Sequence, residues 1–106
     1  MGIGFGLSEK LIFDPKTGRT LNNNLLDYKL STFLDHPRLK AEFVENPEPT
    51  SAFGTKALGE PPACSVAPAI RNAVFQATGV AVNEAPLNPH NLFRAFTEAG
   101  LIHDER

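Results

Sequence analysis

The spacing of apolar positions changes along the chain, and the changes mark the predicted elements. Residues 39–44 alternate apolar and charged side chains, which is typical of a half-buried strand. From residue 66 the apolar side chains recur at three- and four-residue spacing instead, which predicts one face of a helix that ends at Gly79. That face consists of Val66, Ile70, Ala73, Val74 and Ala77.

A second helix is predicted near the end of the chain. Asn88 is a suitable N-cap, Pro89 suits the first helical position, and Gly100 terminates the apolar spacing. Between the two helices, residues 80–86 predict a short extended segment, and residues 101–106 predict a frayed tail.

The N-terminal half has weaker periodicity. Residues 1–7 alternate glycine with apolar residues, a pattern that disfavours an isolated helix. Residues 11–21 predict a β-hairpin whose turn, at 14–18, places Gly18 where positive φ is needed. Residues 22–37 have no helical period and predict an extended segment, whose apolar side chains are covered either by the domain itself or by a partner.

These elements together predict an α+β fold within a single domain at residues 1–106. It would contain an N-terminal β-hairpin, one or two further strands and two helices. A chain of this length can bury only a modest core.

Composition narrows the classes of function. The formal charge is -2, with no basic block and one tyrosine, which argues against nucleic acid as a partner. No apolar run has membrane-spanning length and the first residues do not resemble a signal peptide, so we predict a cytoplasmic protein without a membrane partner. Cys64 is the only cysteine and the three histidines are far apart, so no metal site made of protein ligands is predicted.

Residues 50–68 hold the candidate functional residue, Glu60. Two glycines precede this lone carboxylate, and Pro61 and Pro62 follow it. The glycines allow close approach to a flat ligand or another chain, and the prolines suit the first turn of a helix. On spacing alone, a surface turn with an incidental glutamate is the favoured interpretation of this pattern.

Pro68 leaves two starts open for the helix that follows. The helix can begin near Ser65, with Pro68 in the first turn, where backbone N–H groups lack partners. Alternatively it begins at the two prolines and kinks at Pro68, which would place Glu60 at its N-terminus.

Three ordered motifs resemble a known family. They are Asn-Leu-Leu-Asp-Tyr-Lys at 24–29, Gly-Thr-Lys-Ala-Leu-Gly-Glu-Pro-Pro at 54–62 and Ala-Pro-Ala-Ile-Arg-Asn-Ala at 67–73. In this order they are similar to the C-terminal end of the molybdenum-cofactor subunit of the xanthine dehydrogenase and aldehyde oxidase family. The resemblance covers nearly the whole chain.

The resemblance implies a role for individual residues. It makes Glu60 the catalytic base beside molybdenum, in the hydroxylation of an aldehyde or N-heterocycle with water as the oxygen source. It places Leu58 and Gly59 in the cofactor-binding loop, and Lys56 either on a cofactor phosphate or in a structural ion pair. The implied cofactor is a molybdopterin-type molybdenum cofactor, either in its simple form or as its cytosine dinucleotide.

The resemblance also implies partners, since the family's subunit is several times longer than this chain. We expect the remaining molybdenum-subunit domains and iron-sulfur and FAD subunits or domains to complete the enzyme. The isolated chain is predicted to hold no cofactor and to be inactive. An alternative is a non-catalytic interaction module that retains the fold, and self-association through residues 25–34 is a further possibility.

Overall fold

The computed structural model describes residues 1–103, which leaves the last three residues of the predicted frayed tail outside the described part. The elements are helices α1 Gly2–Leu7, α2 Glu60–Cys64, α3 Val66–Thr78 and α4 Pro89–Glu98, with 3₁₀ helices at Phe33–Asp35 and Ala52–Gly54. The rest of the described chain is loop and turn. Over these residues no helix has the length and apolarity needed to cross a bilayer.

The prediction of an α+β fold is wrong, and the N-terminal hairpin shows one reason. In residues 1–103, strand pairing is limited to one antiparallel bridge between Phe13 and Thr20. The predicted turn is present, and Gly18 has a φ of 70°. Beyond the bridge, however, the side-chain oxygen of Asn22 accepts from the Ile12 backbone N–H at 2.8 Å. An amide side chain thus takes a backbone group that a longer ladder would have used, so the strands do not extend.

The predicted strand at residues 39–44 is also wrong. These residues form an exposed loop, and so does the greater part of residues 80–86. A strand needs a neighbour for its backbone N–H and C=O groups. The alternation of apolar and charged residues is typical of a half-buried strand. The described residues, however, provide no strand that pairs with residues 39–44.

The predicted helix ends are confirmed. Helix α3 stops at Gly79, which has a φ of 74°. At the start of α4 the Asn88 side chain accepts a hydrogen bond from the Asn91 backbone N–H at 2.9 Å. After α4, Gly100 has a φ of 73° and the Leu101 N–H donates to the carbonyl of Phe96 at 2.9 Å. This is the hydrogen bond of a Schellman motif.

The structure combines the two predicted starts of the long helix. Helix α2 begins at Glu60 with the prolines in its first turn, and α3 begins separately after Ser65. Pro68 is the third residue of α3, where it sacrifices no helical hydrogen bond. The Ser65 hydroxyl donates to the Pro62 carbonyl at 3.0 Å and makes no capping bond to α3. The chain is therefore broken between two helices and not kinked within one.

Helix α1 forms despite its three glycines, each of which costs about 1 kcal/mol relative to alanine in a helix. A Cβ built at Gly2 would lie 2.6 Å from the Val66 Cβ, and one at Gly6 would lie 2.8 Å from the Ile70 Cδ1. Gly2 and Gly6, which are four residues apart, therefore allow α1 to lie directly against α3. The Leu87 N–H also donates to the carbonyl of Gly6 at 2.6 Å.

Charged groups hold α4 near the N-terminal segment. Glu84 pairs with Arg94 of α4 and, at 3.4 Å, with Lys10. The Arg94 guanidinium, more than Lys10, holds the pKa of the Glu84 carboxyl below its ordinary value. These groups are about half exposed, so the pairs fix geometry more than they add stability.

The chain buries little of its own apolar surface. Val82 and Leu87 are the buried hydrophobic residues among those described. The accessible surface is 9075 Å², against about 5,800 Å² for a folded protein of this mass. The radius of gyration is 18.1 Å, against about 13 Å for a compact domain of this length. The packed region consists of α1, α3 and α4 with residues 80–88. Most of the exposed apolar side chains lie outside this packed region.

We predict that the isolated chain unfolds without a sharp transition, because two buried apolar side chains are too few for a cooperative core. Urea titration followed by circular dichroism should give a slope below about 1 kcal/mol per molar, the lower end for small proteins. A dye that binds exposed apolar surface should fluoresce in water without denaturant. A steep transition in a monomeric sample, checked across a dilution series, would contradict this prediction.

Candidate active site

Glu60 borders an open pocket between α1 and the α2–α3 junction. The pocket has a volume of about 370 Å³, and two carboxylates and a thiol stand out in an otherwise apolar lining. The lining residues are Met1, Gly2, Phe5, Glu9, Glu60, Ala63, Cys64 and Ala67. The close α1–α3 contact forms this pocket, since α1 supplies one wall and the start of α3 supplies part of the other.

The α2 helix sets the position of Glu60. Glu60 is its first residue, with Gly59 as N-cap and two prolines completing the turn. Glu60 and Cys64 are four residues apart, so they share a face of α2 and both border the pocket. The Glu60 side chain is exposed, and its carboxylate is accessible to a group that enters the pocket.

Leu58 and Gly59, the predicted cofactor contacts before Glu60, form an uncovered edge. The Leu58 side chain is 68% exposed, and a Cβ built at Gly59 would meet no atom within 4 Å. Gly59 has an ordinary φ of -84°, so its backbone conformation does not require glycine. The missing side chain instead leaves the backbone open to approach by another molecule.

Lys56 is not brought to the Glu60 pocket. It lines a separate depression of about 310 Å³, together with Val44, Glu45, Asn46, Pro47 and Gly54. Among the described residues Lys56 makes no ion pair. The structural ion pair predicted as an alternative for Lys56 therefore has no partner in this part of the chain. The predicted site residues therefore fall into two groups, one beside α2 and one at Lys56.

The structure adds a residue pair that sequence reasoning missed. The Tyr28 hydroxyl donates to Glu9 Oε2 at 2.8 Å, and Glu9 lines the same pocket as Glu60. A Cβ built at Gly4 would overlap Glu9 Oε1, so Gly4 makes room for this carboxylate. The two partners are 19 residues apart, and no spacing rule connects them.

The pair has an electrostatic consequence. The hydrogen bond to Glu9 raises the pKa of the Tyr28 phenol, with smaller contributions from burial and from the negative charge of Glu9. The contact also holds the 24–30 loop beside the residues that follow α1. It therefore connects the first of the three motifs, through Glu9, to the lining of the pocket.

In residues 1–103 no group of three histidine, cysteine or carboxylate side chains is arranged to hold a metal ion. Cys64 is a free, exposed thiol.

Comparison with known proteins establishes the family. No protein-family model matches the chain. The chain is 57% identical, over 102 residues, to the xanthine dehydrogenase molybdenum-binding subunit of Escherichia coli O157:H7. It is 34% identical, over 88 residues, to the aldehyde oxidoreductase molybdenum-binding subunit of the same organism. The chain belongs to this family of molybdenum-binding subunits.

The similarity involves most of this chain but a small share of each relative. The first alignment covers 96% of the chain and 14% of the xanthine dehydrogenase subunit. The second covers 82% of the chain and 12% of the aldehyde oxidoreductase subunit. The resemblance inferred from the three motifs is thus confirmed, and the chain corresponds to one segment of a much longer molybdenum-binding subunit.

We predict that the Tyr28–Glu9 contact is visible in a pH titration. The raised pKa favours the neutral phenol in the folded chain, so the contact's stabilising contribution is complete below the ordinary value of 10.0. It is lost as the pH rises from that value through the raised pKa. Tyr28 is the only tyrosine and the chain has no tryptophan, so tyrosinate absorbance reports this residue alone.

Glu9→Gln is the test variant and Glu98→Gln, on the exposed end of α4, is the control. The tyrosinate transition should move toward its ordinary position with Glu9→Gln or in denaturant, and stay in place with Glu98→Gln. A transition at the ordinary pH in the unmodified chain would show that the contact does not form.

Proposed function

We propose that this chain supplies the catalytic base of a molybdenum hydroxylase of the xanthine dehydrogenase and aldehyde oxidase type. The base is Glu60, and the substrate is an aldehyde or an N-heterocycle that is hydroxylated at carbon. The observation that carries the proposal is the position of Glu60: in a chain of this family, its exposed carboxylate borders an apolar pocket beside an uncovered glycine backbone.

The described residues fit one wall of a cofactor site. The open backbone at Gly59 and the exposed Leu58 leave an edge along which a flat group could lie. Leu58 and Gly59 are the proposed contacts through backbone amides, and Lys56 is the proposed cation for a cofactor phosphate. A molybdopterin-type cofactor, either in its simple form or as its cytosine dinucleotide, would supply the redox centre.

Glu60 contributes proton transfer. A general base must reach the proton that it abstracts and must be ionised when it does so. Glu60 is on the first turn of α2 and is accessible from an apolar pocket, so its carboxylate can reach a proton on a group bound in that pocket. The apolar lining limits competing water once the open side is covered, which strengthens the electrostatic interactions within.

The site is incomplete, because one side of the pocket is open and Lys56 lies elsewhere. We therefore propose that the chain is inactive alone and acts with the remaining part of a molybdenum subunit, together with iron-sulfur and FAD subunits or domains. A cytoplasmic location is part of the same proposal. The alternative is an interaction module without chemistry, which predicts that Glu60 can be replaced without loss of turnover.

We predict that Glu60→Gln lowers turnover by about 10²–10⁴-fold, the usual contribution of a general base. The amide has nearly the shape of the carboxylate but cannot accept the proton, so molybdenum content should be unchanged. The measurement uses a complete subunit: the 57% identical Escherichia coli relative carrying this chain in place of its own matching segment, purified with its partner subunits.

Glu98→Gln provides the matched control, since it makes the same chemical change on the exposed end of α4, away from the pocket. Its turnover should equal that of the unmodified complete enzyme. Equal turnover by Glu60→Gln and Glu98→Gln, at equal molybdenum content, would refute the catalytic role and favour the interaction module.

A further inference from the structure

The segment that precedes Glu60 has no hydrogen-bonded connection to the rest of the described chain. We call residues 32–58 the arm. Its hydrogen bonds join Thr32 to Asp35, Glu48 to Thr50 and to the 51–54 turn, and Ser51 to Thr55, all within the arm. Its ion pair, Lys40–Glu42, is also internal. By contrast, the preceding loop is attached by the Tyr28–Glu9 and Ser8–Lys29 contacts to the two residues that directly follow α1.

The arm exposes every large apolar side chain that it contains. Exposure ranges from 68% at Leu58 to 103% at Phe53. The full set is Phe33, Leu34, Leu39, Phe43, Val44, Phe53 and Leu58. Single exposed apolar residues are ordinary, but seven within one segment of 27 residues indicate a surface that is covered in the complete protein.

Two aromatic side chains in the arm are presented by locally ordered turns. Phe33 begins a 3₁₀ helix in which the Asp35 carboxylate accepts hydrogen bonds from the backbone N–H and the hydroxyl of Thr32, both at 2.7 Å, and Phe33 is 98% exposed. Phe53 lies in the second 3₁₀ helix with a φ of 55°, a left-handed conformation that is unfavourable for a phenylalanine. Strained residues of this kind persist where function requires them. Both turns are therefore present while the rings are uncovered.

The area of uncovered surface indicates the kind of partner. The whole chain exposes about 3,300 Å² more than a folded protein of its mass. A standard interface buries about 800 Å² on each partner, while obligate assemblies bury several times more. The excess therefore fits continuation of a protein core better than a small transient contact. The relatives extend far beyond the matched segment, which covers 14% of the xanthine dehydrogenase subunit.

We propose that the arm binds across the surface of the remaining part of a molybdenum subunit, with Phe33 and Phe53 as its anchoring side chains. This inference rests on the proposed function, because that proposal supplies the partner. The arm ends at Leu58, two residues before Glu60, so its docking sets where α2 and the Glu60 carboxylate lie relative to the partner. The arm is a positioning segment, and its apolar anchors act on catalysis through Glu60.

Limited chymotrypsin cleavage after Phe43 tests the docking. This residue is 81% exposed in the arm and is retained in all the variants. In the complete chimeric subunit described above, cleavage there should be at least about 30-fold slower than in the isolated chain, because anchoring aromatic residues contribute at this level. Phe33→Ser and Phe53→Ser should each restore much of the cleavage rate and lower kcat, whereas Phe33→Leu should retain protection.

Lys40→Ser is the control within the arm, since this exposed side chain is outside the apolar set. It should leave protection unchanged. Tyrosinate titration of each variant as an isolated chain reports whether the Tyr28–Glu9 contact, which lies outside the arm, is intact. Equal cleavage of isolated chain and complete subunit would overturn the inference. Protection that appears in the isolated chain at high concentration would also overturn it, in favour of a second copy as the occupant.

The same preparation separates this inference from the catalytic proposal. Glu60→Gln should remove turnover and leave Phe43 protected. If Glu60→Gln keeps its turnover and Phe43 stays protected, the catalytic role fails and docking stands. If the arm is unprotected while Glu60→Gln abolishes turnover, docking fails and the catalytic role stands.

Discussion

The close contact between α1 and α3 is the constraint on which the ordered part of the chain depends. It is possible only because Gly2 and Gly6 carry no side chain where Val66 and Ile70 approach. The helix propensity of α1 is poor, so tertiary packing must offset about 1 kcal/mol for each glycine. Once α1 is in place, it forms a wall of the Glu60 pocket and provides the carbonyl that accepts from Leu87.

Outside this contact, the chain has local order without a core. Turns and caps form between neighbouring residues, so their formation loses little conformational entropy. A core requires apolar side chains from distant segments to meet, and here most of them face solvent. The chain matches 14% of its relative, and the proposed docking of residues 32–58 explains both facts, because the remaining part of a molybdenum subunit would then supply the surfaces that cover these side chains.

The candidate site divides in the same way. Leu58, Gly59 and Glu60 are consecutive residues of one motif, so they lie together at the start of α2. Lys56 is only four residues from Glu60, yet it lines a different depression. The Glu9–Tyr28 contact was missed because its two residues are 19 positions apart in the chain and meet only in the folded structure.

The sequence by itself determined the family, the candidate base and the ends of α3 and α4. Caps at Gly79, Asn88 and Gly100 follow from local backbone chemistry, which a few neighbouring residues decide. Only the tertiary structure decided that residues 2–7 are a helix and that residues 39–44 are not a strand. The first depends on packing against α3 and the second on a partner strand, and neither kind of contact is encoded in the segment itself.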